Sequence, residues 1–237
     1  MIESLRSKNV LLTGASGGIG ESLALEFAKA GCNLFLTGRD SDKLKILKNK
    51  VAKMDSSIDV FSAFCDLEKD LESLVLEVRD TIKTIDILVN CAGVFVVKPM
   101  RDTSTEDFDA CFNVNVKAPY FLSKVFSSDM VERKWGRIVN IGSSSSYNGF
   151  KETSLYCSSK HALLGLSRSI YDELKEHNIK TFCFSPGSVK TEMGKRVKNQ
   201  DYSTFIDPIE LSKYIVLTIS FDSDMIAEEL RINRFNL

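Results

Sequence analysis

Short apolar runs alternate along this chain with segments whose apolar residues recur every three or four positions. The runs are typical of strands buried on both faces, and the spaced segments are typical of helices that bury one stripe. The first run, 9–12, is followed by a helical pattern, and six further strands are predicted at 33–37, 58–65, 85–89, 136–141, 179–184 and 229–233. Strands that alternate with helices throughout predict an α/β protein with a parallel sheet.

Composition limits the class of protein without naming it. The chain has 237 residues and no linker-like segment, so one domain over 1–237 is expected. Its 31 basic and 32 acidic residues leave a formal net charge of -1, so no overall field attracts nucleic acid or an anionic membrane. No apolar run approaches the roughly 18 residues of a membrane span, and 1–8 lacks a signal-peptide core, so a cytoplasmic protein is expected.

The cysteines and histidines give no sign of a metal site. The six cysteines are scattered without a C-x-x-C pair, which is typical of small core residues in a reducing compartment. His161 and His177 do not lie at ligand spacing from any of them, so no metal is expected.

A glycine-rich turn, with Gly14, Gly18 and Gly20, joins the first strand to the first helix. Glycines let the backbone approach a ligand, and a helix N-terminus favours negative charge, so this turn predicts a phosphate cradle. The spacing G-x-x-x-G-x-G differs from the common G-x-G-x-x-G fingerprint. A role in turning the chain alone therefore stays open.

Two further strand ends carry candidate cofactor contacts. In dinucleotide-binding folds an acidic residue after the second strand binds the ribose 2′-hydroxyl, whereas an arginine accommodates a 2′-phosphate. Here Gly38 and Arg39 occupy that point, which favours NADP(H) over NAD(H), although Asp40 is close and a solvated Arg39 is the alternative. Asp66 at the next strand end is placed to meet an adenine, or else to cap a helix.

One amide interrupts an apolar helical stripe in the middle of the chain. Asn115 lies within the stripe formed by Phe108, Phe112, Ala118, Leu122 and Val125. Pro119, four residues later, has no N–H, so the Asn115 carbonyl loses its helical partner if the helix continues. We hypothesise that the freed carbonyl and the amide hold a water on a proton path, the alternative being an ordinary proline kink.

The candidate chemistry centres on Tyr156 and Lys160, which lie one turn apart on the same face of a predicted helix. A fixed positive charge favours phenolate and brings the tyrosine pKa towards the working range, so the pair can exchange a proton with a carbonyl oxygen. Tyr-x-x-x-Lys also occurs by chance in helices. Ser143, at the preceding strand end, stands 13 residues before the tyrosine.

Taken together, these motifs resemble the short-chain dehydrogenase/reductase family over essentially the full length of the chain. They are Thr13-Gly14-x-x-x-Gly18-x-Gly20, Asn90-x-Ala92-Gly93, Asn115, Ser143, Tyr156-x-x-x-Lys160 and Pro186-Gly187-x-Val189-x-Thr191, in family order and spacing. The resemblance implies a Rossmann-like doubly wound parallel sheet of about seven strands, with helices on both faces and NAD(P) across the carboxyl ends of the strands.

The resemblance also implies residue roles. Tyr156 is then the general acid or base, Lys160 binds the nicotinamide ribose and lowers the tyrosine pKa, Ser143 holds the substrate oxygen, and Asn115 positions a relay water. The implied cofactor contacts are Gly14, Ser16, Gly18, Ile19, Gly20, Arg39, Asp66, Leu67, Asn90, Ala92, Gly93, Tyr156, Lys160, Pro186, Gly187, Val189 and Thr191.

The substrate pocket is expected to be apolar and partly aromatic, with walls at 94–100 and 144–150 and a mobile lid over about 188–206. Its predicted lining is Val94, Ser143, Tyr147, Phe150, Tyr156 and Met193. This lining suits a small carbonyl compound or the matching alcohol.

Three functions are compatible with these residues. The first is an NADP(H)-dependent carbonyl reductase. The second is a 3-oxoacyl-(acyl carrier protein) reductase, which the middle of the chain resembles but from which the ending 229–237 departs. The third is an NADP(H)-binding regulator without turnover, although such relatives usually lose the tyrosine or the lysine. The family implies a homodimer or a homotetramer. The changed ending leaves both open, because carboxyl-terminal segments often meet across the tetramer interface of this family.

Overall fold

A single parallel sheet organises the structure, a computed structural model that describes residues 2–197 and 200–235. Its seven strands lie in the order β3-β2-β1-β4-β5-β6-β7. They are β1 (Asn9–Thr13), β2 (Asn33–Gly38), β3 (Val60–Phe64), β4 (Ile87–Asn90), β5 (Gly136–Ile141), β6 (Ile179–Pro186) and β7 (Glu229–Ile232). The predicted Rossmann-like doubly wound fold is confirmed.

Helices cover both faces of the sheet. They are α1 (Gly18–Lys29), α2 (Ser41–Ala52), α3 (Leu71–Ile82), α4 (Thr105–Phe112), α5 (Ala118–Arg133), α6 (Ser154–Leu174) and α7 (Pro208–Ile219). One apolar core holds α1, α2 and α7 against the sheet, and the other holds α3 and α5, with part of α6 beside them. The central strands β1, β4 and β5 are buried at nearly every position because helices cover both faces of the sheet.

The sheet reverses its winding between β1 and β4. From β1 the chain proceeds outward through β2 to β3, whereas β4 to β7 lie on the other side of β1. In open α/β sheets the carboxyl ends of the strands leave a crevice at this point, and ligands bind there. The glycine turn after Thr13 and the segment after Asn90 both open into that crevice.

Two details differ from the apolar pattern. The helical spacing of apolar residues starts at Leu67, but α3 begins at Leu71, because the Asp66 carbonyl accepts from the backbone N–H groups of Lys69 and Asp70 in a tight turn. Phe108 was assigned to a buried stripe, yet its side chain is 47% exposed and stacks on Phe112. Within the described ranges, no helix is both long and apolar enough to cross a membrane.

The helix around Asn115 does not run through with regular α geometry. Between α4 and α5 the chain forms one wide turn of π-helix, Asn113–Lys117, which takes the backbone to Pro119 near the start of α5. Such π-bulges are rare and lie frequently at functional sites. The bulge carries Asn115, which is 0% exposed, into the interior between the crevice and α6.

Candidate active site

The glycine turn is built so that backbone, not side chain, faces the crevice. Gly14 has a φ of +66°, a conformation that L side chains rarely adopt, and a Cβ there would lie 2.7 Å from the Cα of Ala92. A Cβ on Gly18 would lie 2.6 Å from the Thr191 side chain. No side chain caps the N-terminus of α1, so its first N–H groups remain as donors for an anion.

The crevice forms a cleft of about 310 Å³. Its lining includes seven of the predicted cofactor contacts, namely Gly14, Ser16, Arg39, Asp66, Leu67, Ala92 and Gly93. A close-fitting glycine backbone, an uncapped helix N-terminus and a basic side chain suit a phosphorylated dinucleotide. The residues present therefore fit a nicotinamide cofactor.

Arg39 and Asp40, adjacent in sequence, have different surroundings. The carboxylate of Asp40 caps α2 by accepting from the Lys43 backbone N–H at 3.0 Å, and this bond is the main cause that lowers the pKa of Asp40. Arg39 is exposed and forms no ion pair with any residue in the described ranges. The positive charge at the cleft is therefore not cancelled by its neighbour.

Asp66 lies at the cleft and also stabilises its own turn. Its carboxylate accepts from the Glu68 backbone N–H at 3.2 Å, so both readings of this residue, cofactor contact and cap, are compatible with its position. The cap of α3 itself is Asp70, whose carboxylate accepts from the Asp66 N–H at 3.1 Å.

Other predicted cofactor contacts stand behind the cleft lining. The amide of Asn90 donates to Asn140 across the sheet at 2.8 Å, and Asn90 is only 3% exposed. Three others, Gly18, Ile19 and Gly20, form the start of α1. The last four, Pro186, Gly187, Val189 and Thr191, lie at the end of β6 and in the segment that follows it. Thr13, which the motif contains but which was given no role, accepts from the Cys91 and Ala92 N–H groups and so fixes the turn after β4.

Three separate segments converge at Gly93. A Cβ on Gly93 would lie 3.5 Å from the Asn115 side-chain oxygen and 3.8 Å from the Lys160 ammonium. The end of β4, the π-helical turn and α6 thus meet at one point of the crevice. Residues up to 67 positions apart in sequence are neighbours here only because the sheet brings their segments together.

The side chain of Asn115 is fully hydrogen-bonded. Its oxygen accepts from the Val94 N–H at 2.8 Å, and its amide donates to the Val94 carbonyl and to the Ser159 hydroxyl. Ser159 in turn donates to the Tyr156 carbonyl at 2.7 Å, which ties Asn115 to the start of α6. Sequence reasoning missed Ser159, whose one signal was its place between Tyr156 and Lys160.

Tyr156 is buried, with 8% exposure. Burial raises the pKa of Tyr156 to about 12, and the Ser143 hydroxyl, which favours the phenolate, offsets only part of that rise. The Ser143 oxygen also accepts from the Ser145 N–H, which leaves the serine O–H proton to donate.

The buried ammonium of Lys160 is held by a backbone carbonyl. The ammonium donates to the Ile141 carbonyl at 2.7 Å and lies 5.8 Å from the centre of the Tyr156 ring, and burial lowers the pKa of Lys160 itself. Burial therefore dominates the pKa of Tyr156 here, and the lowering of that pKa by Lys160 stays a prediction. Burial of the phenol outweighs the effect of an ammonium held by a carbonyl.

The residues predicted to form the substrate pocket do not all face one space. Val94 lies beside Asn115, but Met193 lines the cofactor cleft and Phe150 is 48% exposed. Tyr147 donates its hydroxyl to Glu229 on β7 at 3.2 Å. Phe95, not singled out from the 94–100 wall, packs edge-on against Tyr156 with ring centres 4.7 Å apart.

The described parts of the predicted lid contain two short 3₁₀ turns, Gly194–Arg196 and Tyr202–Thr204. Residues 198 and 199 of the lid lie outside the described residues. Phe205 is 4% exposed and packs beneath the guanidinium of Arg234.

The arrangement matches a known family. The protein family described as short chain dehydrogenase matches residues 8–202 of this chain. An uncharacterised oxidoreductase of Thermotoga maritima is 34% identical over 80% of this chain and 74% of its own length. The chain belongs to the short-chain dehydrogenase/reductase family and is an oxidoreductase.

Two further relatives are informative. A 3-oxoacyl-(acyl-carrier-protein) reductase of Rickettsia conorii is 30% identical over 89% of this chain and 84% of its own length. The crystal structure of a metagenomic short-chain oxidoreductase in complex with NADP has a TM-score of 0.85 at 28% identity and covers 98% of this chain and 99% of its own. The same fold is thus shared over nearly the whole length of both chains.

Proposed function

We propose that this protein reduces a carbonyl group with NADP(H), or oxidises the matching alcohol, through Ser143, Tyr156, Lys160 and Asn115. The observation that carries the proposal is the buried Tyr156 phenol, which the Ser143 side chain influences and whose ring lies 5.8 Å from the Lys160 ammonium. These two hydroxyl groups suit the oxygen of a carbonyl substrate, which needs a donor as charge develops on it.

The protonated phenol is suited to the reductive half of this reaction. Because the pKa of Tyr156 is raised to about 12, the residue holds its proton at neutral pH and donates it to the carbonyl oxygen as that oxygen becomes an alkoxide. The Ser143 O–H donates to the same oxygen and stabilises its charge. The bound cofactor supplies the hydride to the carbonyl carbon. Lys160 holds the nicotinamide ribose, and Asn115 keeps the Val94 segment against α6.

We further propose that the cofactor is held by residues that line the cleft and by others behind that lining. The turn at Gly14, Ser16 and Gly18 with the N-terminus of α1 takes the pyrophosphate, and Asp66 and Leu67 take the adenine. Asn90, Ala92, Gly93, Pro186, Gly187, Val189 and Thr191 flank the nicotinamide half. An exposed Arg39 beside a carboxylate already used as a helix cap supports NADP(H) over NAD(H), as do family neighbours that bind NADP.

A pair of cofactor titrations tests this preference. We expect NADPH to bind tighter than NADH, and Arg39→Leu to weaken NADPH about tenfold while NADH changes little, because the charge partner of the 2′-phosphate is removed. Asp40→Asn serves as the control, since that side chain is engaged with α2. Equal binding of both cofactors by the unaltered protein would refute the preference.

The Tyr156→Phe variant tests the chemistry. The ring and its packing against Phe95 remain, but the transferable proton is lost. We expect kcat to fall by about 10³-fold on any reduced carbonyl while NADPH affinity stays within about twofold. If the variant keeps most of its kcat, Tyr156 is not the proton donor.

A second candidate is reduction of 3-oxoacyl chains on an acyl carrier protein. The Rickettsia reductase at 30% identity favours it, whereas the ending of this chain departs from that of such enzymes. Turnover confined to carrier-linked 3-oxoacyl substrates would replace the general carbonyl reductase with this function. Tight cofactor binding with no turnover on any carbonyl would instead indicate a regulator. For either enzyme we propose a homodimer or homotetramer, which sedimentation distinguishes.

A further inference from the structure

The lid is the most cationic part of the substrate side. Residues 188–206 contain four basic residues, Lys190, Lys195, Arg196 and Lys198, and two acidic ones, Glu192 and Asp201, in a chain whose formal net charge is -1. Both carboxylates have local partners. Glu192 pairs with Lys195 at 2.5 Å, and Asp201 accepts from the backbone and hydroxyl of Ser203.

Arg196 is left as an uncompensated guanidinium. Its backbone is fixed, because its N–H donates to the Met193 carbonyl and the turn is further held by the Thr191 hydroxyl, which accepts from the Gly194 N–H at 3.0 Å. Its side chain, by contrast, forms no ion pair or hydrogen bond with any residue in 2–197 or 200–235. A fixed base with free donors is suited to binding a ligand.

The position of this guanidinium relates it to the reacting groups. Its carbon lies 5.6 Å from the centre of the Phe95 ring, and the same ring packs edge-on against Tyr156 at 4.7 Å. The same aromatic ring therefore contacts both the free guanidinium and the phenol. Phe95 is not part of the cofactor-cleft lining, although Met193 of the adjoining turn is, so the contact with Phe95 associates Arg196 with the proposed substrate side.

We infer that Arg196 is a specificity-determining residue that binds an oxyanion group, carboxylate or phosphate, on the carbonyl substrate. The inference rests on the proposed reduction of a carbonyl and narrows its substrate class to carbonyl compounds with a negative charge a few bonds from the reacting carbon. A guanidinium presents paired N–H donors that match both oxyanions, and its charge is not lost at any working pH. The Phe95 ring supports the apolar spacer between the two ends of such a substrate.

Matched substrate pairs provide the test. The unaltered protein, Arg196→Gln and Lys195→Gln are assayed with NADPH on a series of keto acids, on their methyl esters and on phosphate-bearing ketones. We expect the unaltered protein to prefer an anionic member, and Arg196→Gln to lower its kcat/KM by about tenfold or more, mainly through KM. The ester should change less than about twofold, and Arg196→Lys should restore part of the loss. The acid and phosphate arms identify which oxyanion is bound.

Lys195→Gln is the control, because Lys195 is the adjacent lid cation and is already paired with Glu192. It should leave the preference for the anionic member unchanged. NADPH affinity, measured by titration of each variant, should also be unchanged.

Three results would overturn the inference. One is an equal loss on acid and ester, which would mean that Arg196 only supports the lid. Another is a loss confined to NADPH affinity, which would assign the guanidinium to the cofactor phosphates. The third is turnover of neutral carbonyls without any anion preference, which leaves the proposed carbonyl reduction intact. Absence of turnover on every carbonyl would reject the proposed function itself, and this inference with it.

Discussion

The two sides of the crevice are built in different ways. The cofactor side, from the turn after β1 to the turn after β4, is shaped by backbone: Gly14 meets Ala92 closely and Thr13 holds the next turn through two N–H groups. The proposed substrate side is instead shaped by side chains from 144–150, the lid and the tail, where Tyr147 donates to Glu229 and Arg234 donates to Thr204. Backbone geometry tolerates few substitutions, whereas side-chain walls can be rebuilt for a new substrate.

Adding one methyl group on each side of the crevice tests this difference most directly. Gly14→Ala places a Cβ 2.7 Å from the Ala92 Cα at a φ of +66°, so we expect a loss of about 2 to 5 kcal/mol in the free energy of unfolding and weaker NADPH binding. Gly149→Ala, on the substrate side, meets nothing within 4 Å and should change stability by less than about 0.5 kcal/mol. Chemical denaturation of both variants measures the difference, and equal losses would contradict the comparison.

Asn115 joins the two sides, so its removal should be costly. Asn115→Ala leaves the Val94 N–H and carbonyl without their partner in a fully buried place, and we expect a loss of about 2 to 4 kcal/mol. Asn113→Ala, in the same π-helical turn but only half-buried, is the matched control and should lose less than about 1 kcal/mol. A similar loss in both would show that the turn, and not the amide, sets the stability.

The buried phenol makes a prediction about pH. The folded chain keeps the Tyr156 proton up to about pH 12, whereas an unfolded tyrosine releases it near pH 10, so unfolding becomes easier as the pH rises through this window. The free energy of unfolding should fall by about 2 kcal/mol between pH 10 and 12 through this group, with no contribution below pH 10. Denaturation of the unaltered protein and Tyr156→Phe across this range isolates the effect as their difference. If the difference in free energy of unfolding between the two proteins stays constant across this range, burial does not raise the pKa of the phenol.

The smallest effect is expected at the tail. Arg234 donates to the Thr204 hydroxyl at 2.8 Å and to the Gln200 side chain at 2.9 Å, and so fastens the lid to the segment after β7. Arg234→Met should change stability by less than about 1 kcal/mol, because the contacts are near the surface, but should raise KM for the carbonyl a few-fold. NADPH affinity should stay constant. A change in cofactor affinity without a change in KM would mean that the Arg234 contacts support the cofactor side of the crevice and not the substrate side.

Much of this protein could be read from its sequence, because the relevant constraints are local. Apolar runs of the right length, the glycines after β1 and the one-turn spacing of Tyr156 and Lys160 each follow from the geometry of a few consecutive residues. These features predicted a parallel α/β sheet, and the family resemblance that they carry implied its doubly wound arrangement and the proposed catalytic residues. The strand ends were correct to within two residues, as at β3 and β4.

Only the tertiary structure decided what surrounds those residues. The effect of Lys160 on the tyrosine pKa depends on the Ile141 carbonyl, which accepts a hydrogen bond from its ammonium, and on how deeply the phenol is buried. The partners of Asn115 and the isolation of Arg196 depend equally on segments that are distant in sequence. Burial, hydrogen bonding and charge compensation are sums over neighbours in space, and periodicity along the chain does not contain them.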